Sequence, residues 1–266
     1  SPTMCTTAAA FDIVTSPALV DTNAKAAFGV LLVKHTDAAV IAKWVREDIA
    51  RAQKFGAFRG LKIAVRIKRA SMCREINVVI TAATGAVFNM GRLAAYAVGE
   101  HNVGDYSPRI ARALRLLEIV LCQYAFGESD SQSDYFHVNF WPHVGVDHEV
   151  ESADREPRAR AAMLAIVRDM VATVDARGAL TDDRPSLACE ALTRGDRAEA
   201  YNVLDGCDAP ALRPLKIALR AAAMVGKHDN IFDATKSIHS AAVAVFSATE
   251  SEHTARARVR NHLLAA

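Results

Sequence analysis

Aromatic side chains are scarce in this sequence, 6% of 266 residues, although apolar residues reach 51%. A core filled mainly by alanine and medium-sized aliphatics favours closely packed helices over a sandwich of sheets. An excess of charge is also missing: 32 Lys and Arg stand against 30 Asp and Glu, a formal net charge of +2. That total identifies no polyanion binder. Charges reinforce one another only within a Debye length of about 8–10 Å, so their distribution decides. The five cysteines, Cys5, Cys73, Cys122, Cys189 and Cys207, are dispersed and form no CxxC pair. This excludes a paired-cysteine zinc site and makes free thiols in a reducing compartment the simplest reading. No apolar run approaches the roughly 20 residues of a bilayer span, and the first residues lack the basic start and apolar centre of a signal peptide. The expectation is a cytosolic chain with no membrane insertion. At about 100–200 residues per domain, two lobes are the expected division.

What the chain does have is a patterned stretch over residues 59–96. Leu61, Ile63, Val65 and Ile67 alternate with Lys62, Ala64, Arg66 and Lys68, the period of a half-buried strand with a basic outer face. A β-branched run at 76–81 follows a short polar connection, so the two pair most simply as an antiparallel hairpin. Lys62, Arg66, Lys68, Arg69 and Arg74 then share one ribbon, with only Glu75 nearby to neutralise them. Small residues lead through Gly85 into a helix over 87–98, from which Arg92 emerges beside the ribbon. Uncompensated charge over an apolar support suggests a surface for polyanions.

Residues 1–22 carry isolated apolar groups, Phe11, Ile13, Val14 and Leu19, on a Ser/Thr/Ala background, and read as an N-terminal arm docking elsewhere, the alternative being a disordered leader. An N-terminal lobe over 23–153 opens with helices, among them 37–54 with Val40, Ile41, Trp44, Val45 and Ile49 inward. It contains the hairpin and continues in a helix begun by Pro108, where Arg109, Arg112 and Arg115 make a second basic stripe. A solvated face is the plainer reading of such a stripe unless it lies with the hairpin. An acidic loop at 127–134 leads into aromatic-rich extended or irregular chain, and charge with proline at 151–157 marks the lobe boundary. The helical C-terminal lobe, 154–232, carries a third row, Arg213, Lys216 and Arg220, opposite Leu212, Leu215, Ile217 and Leu219. Residues 233–266 read as a C-terminal arm. Its Ile238, Val243, Val245 and Phe246 offer a helix to a groove on another subunit, the alternative being that they complete their own lobe. The expected fold class is mainly α: two helical lobes, a small basic β-hairpin in the N-terminal lobe, and terminal arms.

Patterns of catalysis are missing. Gly85 and Gly91 followed by Arg92 imitate a phosphate-binding loop, but five residues separate the glycines where that loop has four, and Lys then Ser/Thr is absent. His137, His143 and His148 with Glu149 lack the i, i+4 spacing of a helical zinc site. The acidic loop lacks the central glycine and terminal glutamate of a calcium loop. No GxSxG elbow and no recognisable Cys/His pairing occurs. No catalytic residue, metal ligand or cofactor is assigned, and the chain is not read as an enzyme.

Three short blocks remain, in order: Asn77-Val78-Val79, Gly91-Arg92-Leu93-Ala94 and Tyr124-Ala125-Phe126. They resemble the ordered blocks of nucleoproteins from segmented negative-strand RNA viruses of the bunyavirus type, nearest the emaravirus branch. The resemblance covers roughly residues 58–127. It implies a nucleoprotein that holds single-stranded genomic RNA, without sequence specificity, in a basic groove between two lobes. It also implies assembly into rings or filaments through the terminal arms, the viral polymerase as a further partner, and location in the virion and host-cell cytoplasm. The RNA-contact candidates are Lys62, Arg66, Lys68, Arg69, Arg74, Arg92, Arg109, Arg112, Arg115, Lys216 and Arg220. Tyr96, Tyr124, Phe126 and Tyr135 are candidates for base stacking. A different class stays open: a helical enzyme or adaptor whose basic hairpin binds a phosphorylated ligand or a protein partner.

Overall fold

The computed structural model describes residues 36–70, 73–125, 127–130, 135–180, 182–205, 207, 209–225 and 231–266. The apolar arm candidates Phe11, Ile13, Val14 and Leu19 lie outside them. The chain is mainly helical with a three-stranded sheet, and it divides into two compact units. Over the described residues the first unit runs to Ala86 and resumes over Pro108–Val150; the second comprises Val87–Ser107 and Glu151–Ala266. The chain passes from the first unit to the second between Val150 and Glu151. The segment 87–107, expected in the N-terminal lobe, belongs to the second unit.

In the first unit the alternating run becomes β1, Leu61–Ala70, paired antiparallel with β2, Cys73–Ala83. Ile63, Val65 and Ile67 stand opposite Ile80, Val78 and Ile76, so the cross-strand pairs build one apolar face. Ile76, Val78 and Ile80 are fully buried, each worth about 1.5–3 kcal/mol of transfer free energy. That face is covered by α1, Ala38–Lys54, and by α3, Pro108–Cys122, which buries Ile110, Leu117, Val120 and Leu121. The Asp37 side chain caps α1 by accepting from the Ala39 N–H at 2.8 Å. On α1, Val40 is 41% exposed rather than inward, and Asp48 is buried in the stripe instead. The Tyr124 hydroxyl at 2.5 Å and the Gln123 amide at 3.1 Å donate to Asp48 Oδ2, which is how a carboxylate is tolerated there.

The hairpin is closed at its base by Gly60, whose φ of 72° suits glycine, and whose carbonyl accepts from the Thr84 N–H at 2.9 Å. Phe58 also holds a left-handed φ, 58°, while its ring is buried; that burial offsets a conformational cost of roughly 1–2 kcal/mol. A third strand, β5 (Trp141–Val146), pairs parallel to β2, giving the order β1-β2-β5. This strand lies in the aromatic-rich segment expected to be extended or irregular. Pro142 breaks its pattern yet is tolerated because β5 is an edge. A two-stranded ladder pairs β3 (Gly127–Asp130), within the expected acidic loop, with β4 (Tyr135–Val138), in the aromatic-rich segment that follows it. Cys122 is disulfide-bonded, contrary to the free-thiol expectation, whereas Cys189 and Cys207 are buried free thiols.

The second unit contains α2 (Met90–Ala97), α4 (His148–Ala176, of which the first turn straddles the division), α5 (Arg184–Arg194), α6 (Arg197–Val203), α7 (Arg213–Met224), α8 (Ile231–Phe246) and α9 (Glu252–Ala265). Residues 87–107 form an excursion closed at its neck by the Phe88–Tyr106 bridge and the Ser107 N–H to Val87 carbonyl bond at 2.8 Å. It is pinned to α4 by Asp154, whose Oδ2 accepts from the N–H groups of Val87 at 3.0 Å and Phe88 at 2.7 Å. Asn89 then caps α2, accepting from Gly91 N–H at 3.0 Å.

The expected C-terminal arm is not an arm. Ile238, Val245 and Phe246 are buried in the second unit's core, Val243 packs against it, and α9 adds Ala255, Val259 and Leu263. The Arg258 guanidinium binds Asp169 of α4 at 2.8 and 2.6 Å and lies 4.1 Å over the Phe246 ring. These residues are core of their own unit, so their assignment to oligomerisation is corrected. On α7, Ile217 is 46% exposed rather than inward. No helix among the described residues is long and apolar enough to cross a membrane.

Candidate nucleic-acid interface

One face of the sheet goes to the helices; the other collects the basic residues. Reading across strands, Lys68 pairs with Glu75 and Glu75 with Trp141; Arg66 pairs with Asn77 and Asn77 with His143; Ala64 pairs with Val79 and Val79 with Gly145. Paired residues in neighbouring strands point to the same side. Lys62, Arg66, Lys68 and His143 are exposed there, and Glu75, Asn77, Val79 and Trp141 are half-buried. A bulge between Lys62 and Ile63 lets the ladder shift by one residue, which sharpens the local twist where Lys62 joins the row. The only ion pair on this face among the described residues, Lys68 to Glu75, spans 4.0 Å with the lysine 71% exposed, and exposed pairs of that kind are worth little. Asn77 Oδ1 is buried with no hydrogen-bond partner among the described residues.

The expected contact residues therefore fall into groups. Lys62, Arg66 and Lys68 share the open face. Arg69 and Arg74 stand opposite one another near the hairpin tip, on the alternate side of the ribbon, where Arg74 binds Asp37 at 2.9 Å. The Ala39 N–H and then Arg74 hold the Asp37 carboxyl below its ordinary range. Arg109 does not project as a free cation. Its guanidinium donates to the carbonyl of Arg59 at 3.2 Å and to that of Thr84, stitching the hairpin base to α3. Arg112 and Arg115 are exposed on α3, but α3 covers the apolar side of the sheet. The α3 stripe and the basic face thus lie on opposite sides of this layer, contrary to the expectation of one shared groove.

In the second unit Arg92 binds Asp105 at 3.0 Å and the His101 carbonyl at 3.3 Å. Arg220 binds Asp205 at 2.8 Å and lies 5.1 Å over the Tyr201 ring, while Lys216 is half-buried. Both arginines have structural partners. The stacking candidates fare similarly. Tyr96 packs 5.0 Å from the Phe232 ring. Tyr124 is buried, and burial, followed by the hydrogen bond and charge of Asp48, pushes its phenol well above the ordinary range. The side chains of Phe126 and Tyr135 lie outside the described residues.

Trp141 and His143 share the open face with the basic row and were not among the contact candidates. Their signal was the i, i+2 aromatic spacing in WPHVGV, obscured by the proline. A different concavity, about 530 Å³, lies in the second unit between α4 and α5 and includes Arg168, Asp175, Cys189, Glu190 and Arg194. Burial pushes its Cys189 thiol up, against the pull of Arg168. No group of three or more His, Cys, Asp or Glu among the described residues is arranged to hold a metal ion.

Comparison with protein-family models, curated proteins and solved structures found no match. The functional reading rests on the chain's own chemistry.

Proposed function

We propose that this protein is an RNA-binding nucleoprotein of the kind its sequence blocks resemble, and that the basic face of its sheet contacts single-stranded RNA without reading sequence. The observation that carries the reading is the row Lys62, Arg66 and Lys68: three exposed cations on one face of an edge strand, interrupted only by Ala64 and opposed on that face by one half-buried carboxylate. Such a row tracks a phosphate backbone, whose binding is driven by counterion release and needs no code for bases. Coating a genome in the virion and host cytoplasm, with further copies and the viral polymerase as partners, belongs to the same reading.

The test is the salt dependence of binding. A Lys62/Arg66/Lys68 triple alanine variant should bind homopolymeric RNA more weakly, with the slope of log K against log salt reduced by about 0.7 per lost contact. An unchanged affinity and slope would remove the face from the interface. Binding of the native protein to a phosphorylated small molecule or an acidic peptide, and not to RNA, would favour an enzyme or adaptor instead.

A further inference from the structure

We infer that the open sheet face is a two-nucleotide platform, in which β1 holds phosphates and Trp141 and His143 of β5 stack the corresponding bases. The inference deepens the proposed RNA-binding reading and rests on it. Its basis is a repeated row: cation, hydrogen-bonding residue, ring. One row is Lys68, Glu75, Trp141; the next is Arg66, Asn77, His143. Neighbouring strands are about 4.8 Å apart, so rings and cations are separated by about two spacings, near 10 Å. Along both outer strands the step from one row to the next is two residues, about 6.6 Å. Cations and rings therefore advance together, one of each per row, as a strand with one charge and one base per nucleotide requires.

One of the two aligned rings is exposed and the other half-buried. His143 is exposed, and its Nε2 lies 3.3 Å from where a Cβ at Gly145 would be; the absence of a side chain at 145 leaves the imidazole room over the sheet. Trp141 is half-buried. Stacking uses the face of a base, which a duplex keeps against its neighbours, so the platform selects single strands. Lys62 extends the phosphate row beyond the two rings and adds charge without a base partner.

The experiment uses the full chain carrying Trp44→Phe, so that Trp141 is the sole tryptophan, titrated with three probes of equal length: oligouridylate, an abasic oligodeoxynucleotide and a mixed-sequence RNA duplex. Oligouridylate should quench Trp141 fluorescence. The abasic strand and the duplex should bind at least about tenfold more weakly than oligouridylate, without quenching. Trp141→Ala and His143→Ala should each lower oligouridylate affinity about tenfold with the salt slope retained, and Trp141→Phe should restore most of it. Equal affinity for abasic and base-bearing strands, or silent alanine variants, would overturn the platform while leaving RNA binding by the cations standing. Failure of the native protein to bind any of the three probes would overturn both.

Discussion

Replacing Asp154 with alanine should release the 87–107 excursion from the second unit. One carboxylate oxygen accepts from two consecutive backbone N–H groups, Val87 at 3.0 Å and Phe88 at 2.7 Å, and from Arg158 Nη1 at 3.1 Å. The carboxylate is only 16% exposed, so water replaces it poorly. Hydrogen bonds to a charged acceptor are worth about 1.5–3 kcal/mol each, and stripping a partly buried pair of one member costs about 3–5 kcal/mol. Arg158 keeps the Phe88 carbonyl at 3.1 Å and the Ala266 carbonyl at 2.8 Å, which limits the total to about 3–4 kcal/mol. Asp154→Asn retains an acceptor oxygen but loses the charge and should cost about half as much. Urea unfolding gives the stability change, and amide exchange gives its location. The Val87 and Phe88 amides should lose about 100-fold in protection, the equivalent of roughly 3 kcal/mol. Stability within about 1 kcal/mol of the parent, with those two amides exchanging as before, would refute the role assigned to Asp154.

Asp169→Ala should loosen α9 at a cost of about 2–4 kcal/mol after allowance for partial exposure, read as a lower urea midpoint, since Asp169 holds Arg258 and also His262 at 2.9 Å. Burial raises the Asp169 carboxyl, but Arg258 and His262 outweigh it and hold the group below 3.8. Its stabilisation is thus present above about pH 4 and is lost as pH falls further, a loss the variant should not show in acid titration. Burial, with the charge of Arg256, lowers His239 below 6.5. The unfolded chain takes up that proton first, so stability should fall as pH drops below about 6.5, and a His239→Gln variant whose urea midpoint declines just as steeply would refute it. Tyr124→Phe removes a donor from buried Asp48 and should cost about 1–3 kcal/mol, visible as an earlier thermal transition in the fluorescence of Trp44, 5.8 Å from the ring. Asn77→Asp places a carboxylate between Arg66 and His143 and should reduce the RNA salt slope by about 0.7 while leaving the far-ultraviolet circular dichroism unchanged.

Much of the fold was legible because its signals are local. The alternation from Leu61 to Lys68 specified β1 and the identity of its basic residues, and the helix expected over 37–54 starts where the Asp37 side chain caps it, accepting from Ala39 N–H at 2.8 Å. The third strand was not legible. β5 is separated from β2 by the excursion, α3 and a two-stranded ladder, and a parallel pairing across such a distance leaves no period in the sequence. The C-terminal helix was misread for a related reason. Its apolar residues fit either their own unit or a neighbour's groove, and the deciding features, the Arg258–Asp169 pair and the seat of α2 against α8, join residues far apart in sequence.

The basic residues illustrate the same limit in electrostatic terms. As sequence, Arg66, Arg92, Arg109 and Arg220 are equivalent cations. In the structure Arg92, Arg109 and Arg220 answer local needs, a carboxylate at Asp105 or Asp205 or unpaired carbonyls at the hairpin base. A guanidinium so engaged satisfies groups that would otherwise cost free energy, and it offers a phosphate less in return. Arg66 differs because of its neighbours. Asn77 stands opposite it where an acid would neutralise it, and His143 rather than Asp or Glu stands beyond. The charge that matters for binding is therefore set by the residues across the sheet as much as by the cations themselves. A net charge of +2 is compatible with a strongly basic face because the acids are spent elsewhere, on caps, on buried pairs and on pinning one segment to another.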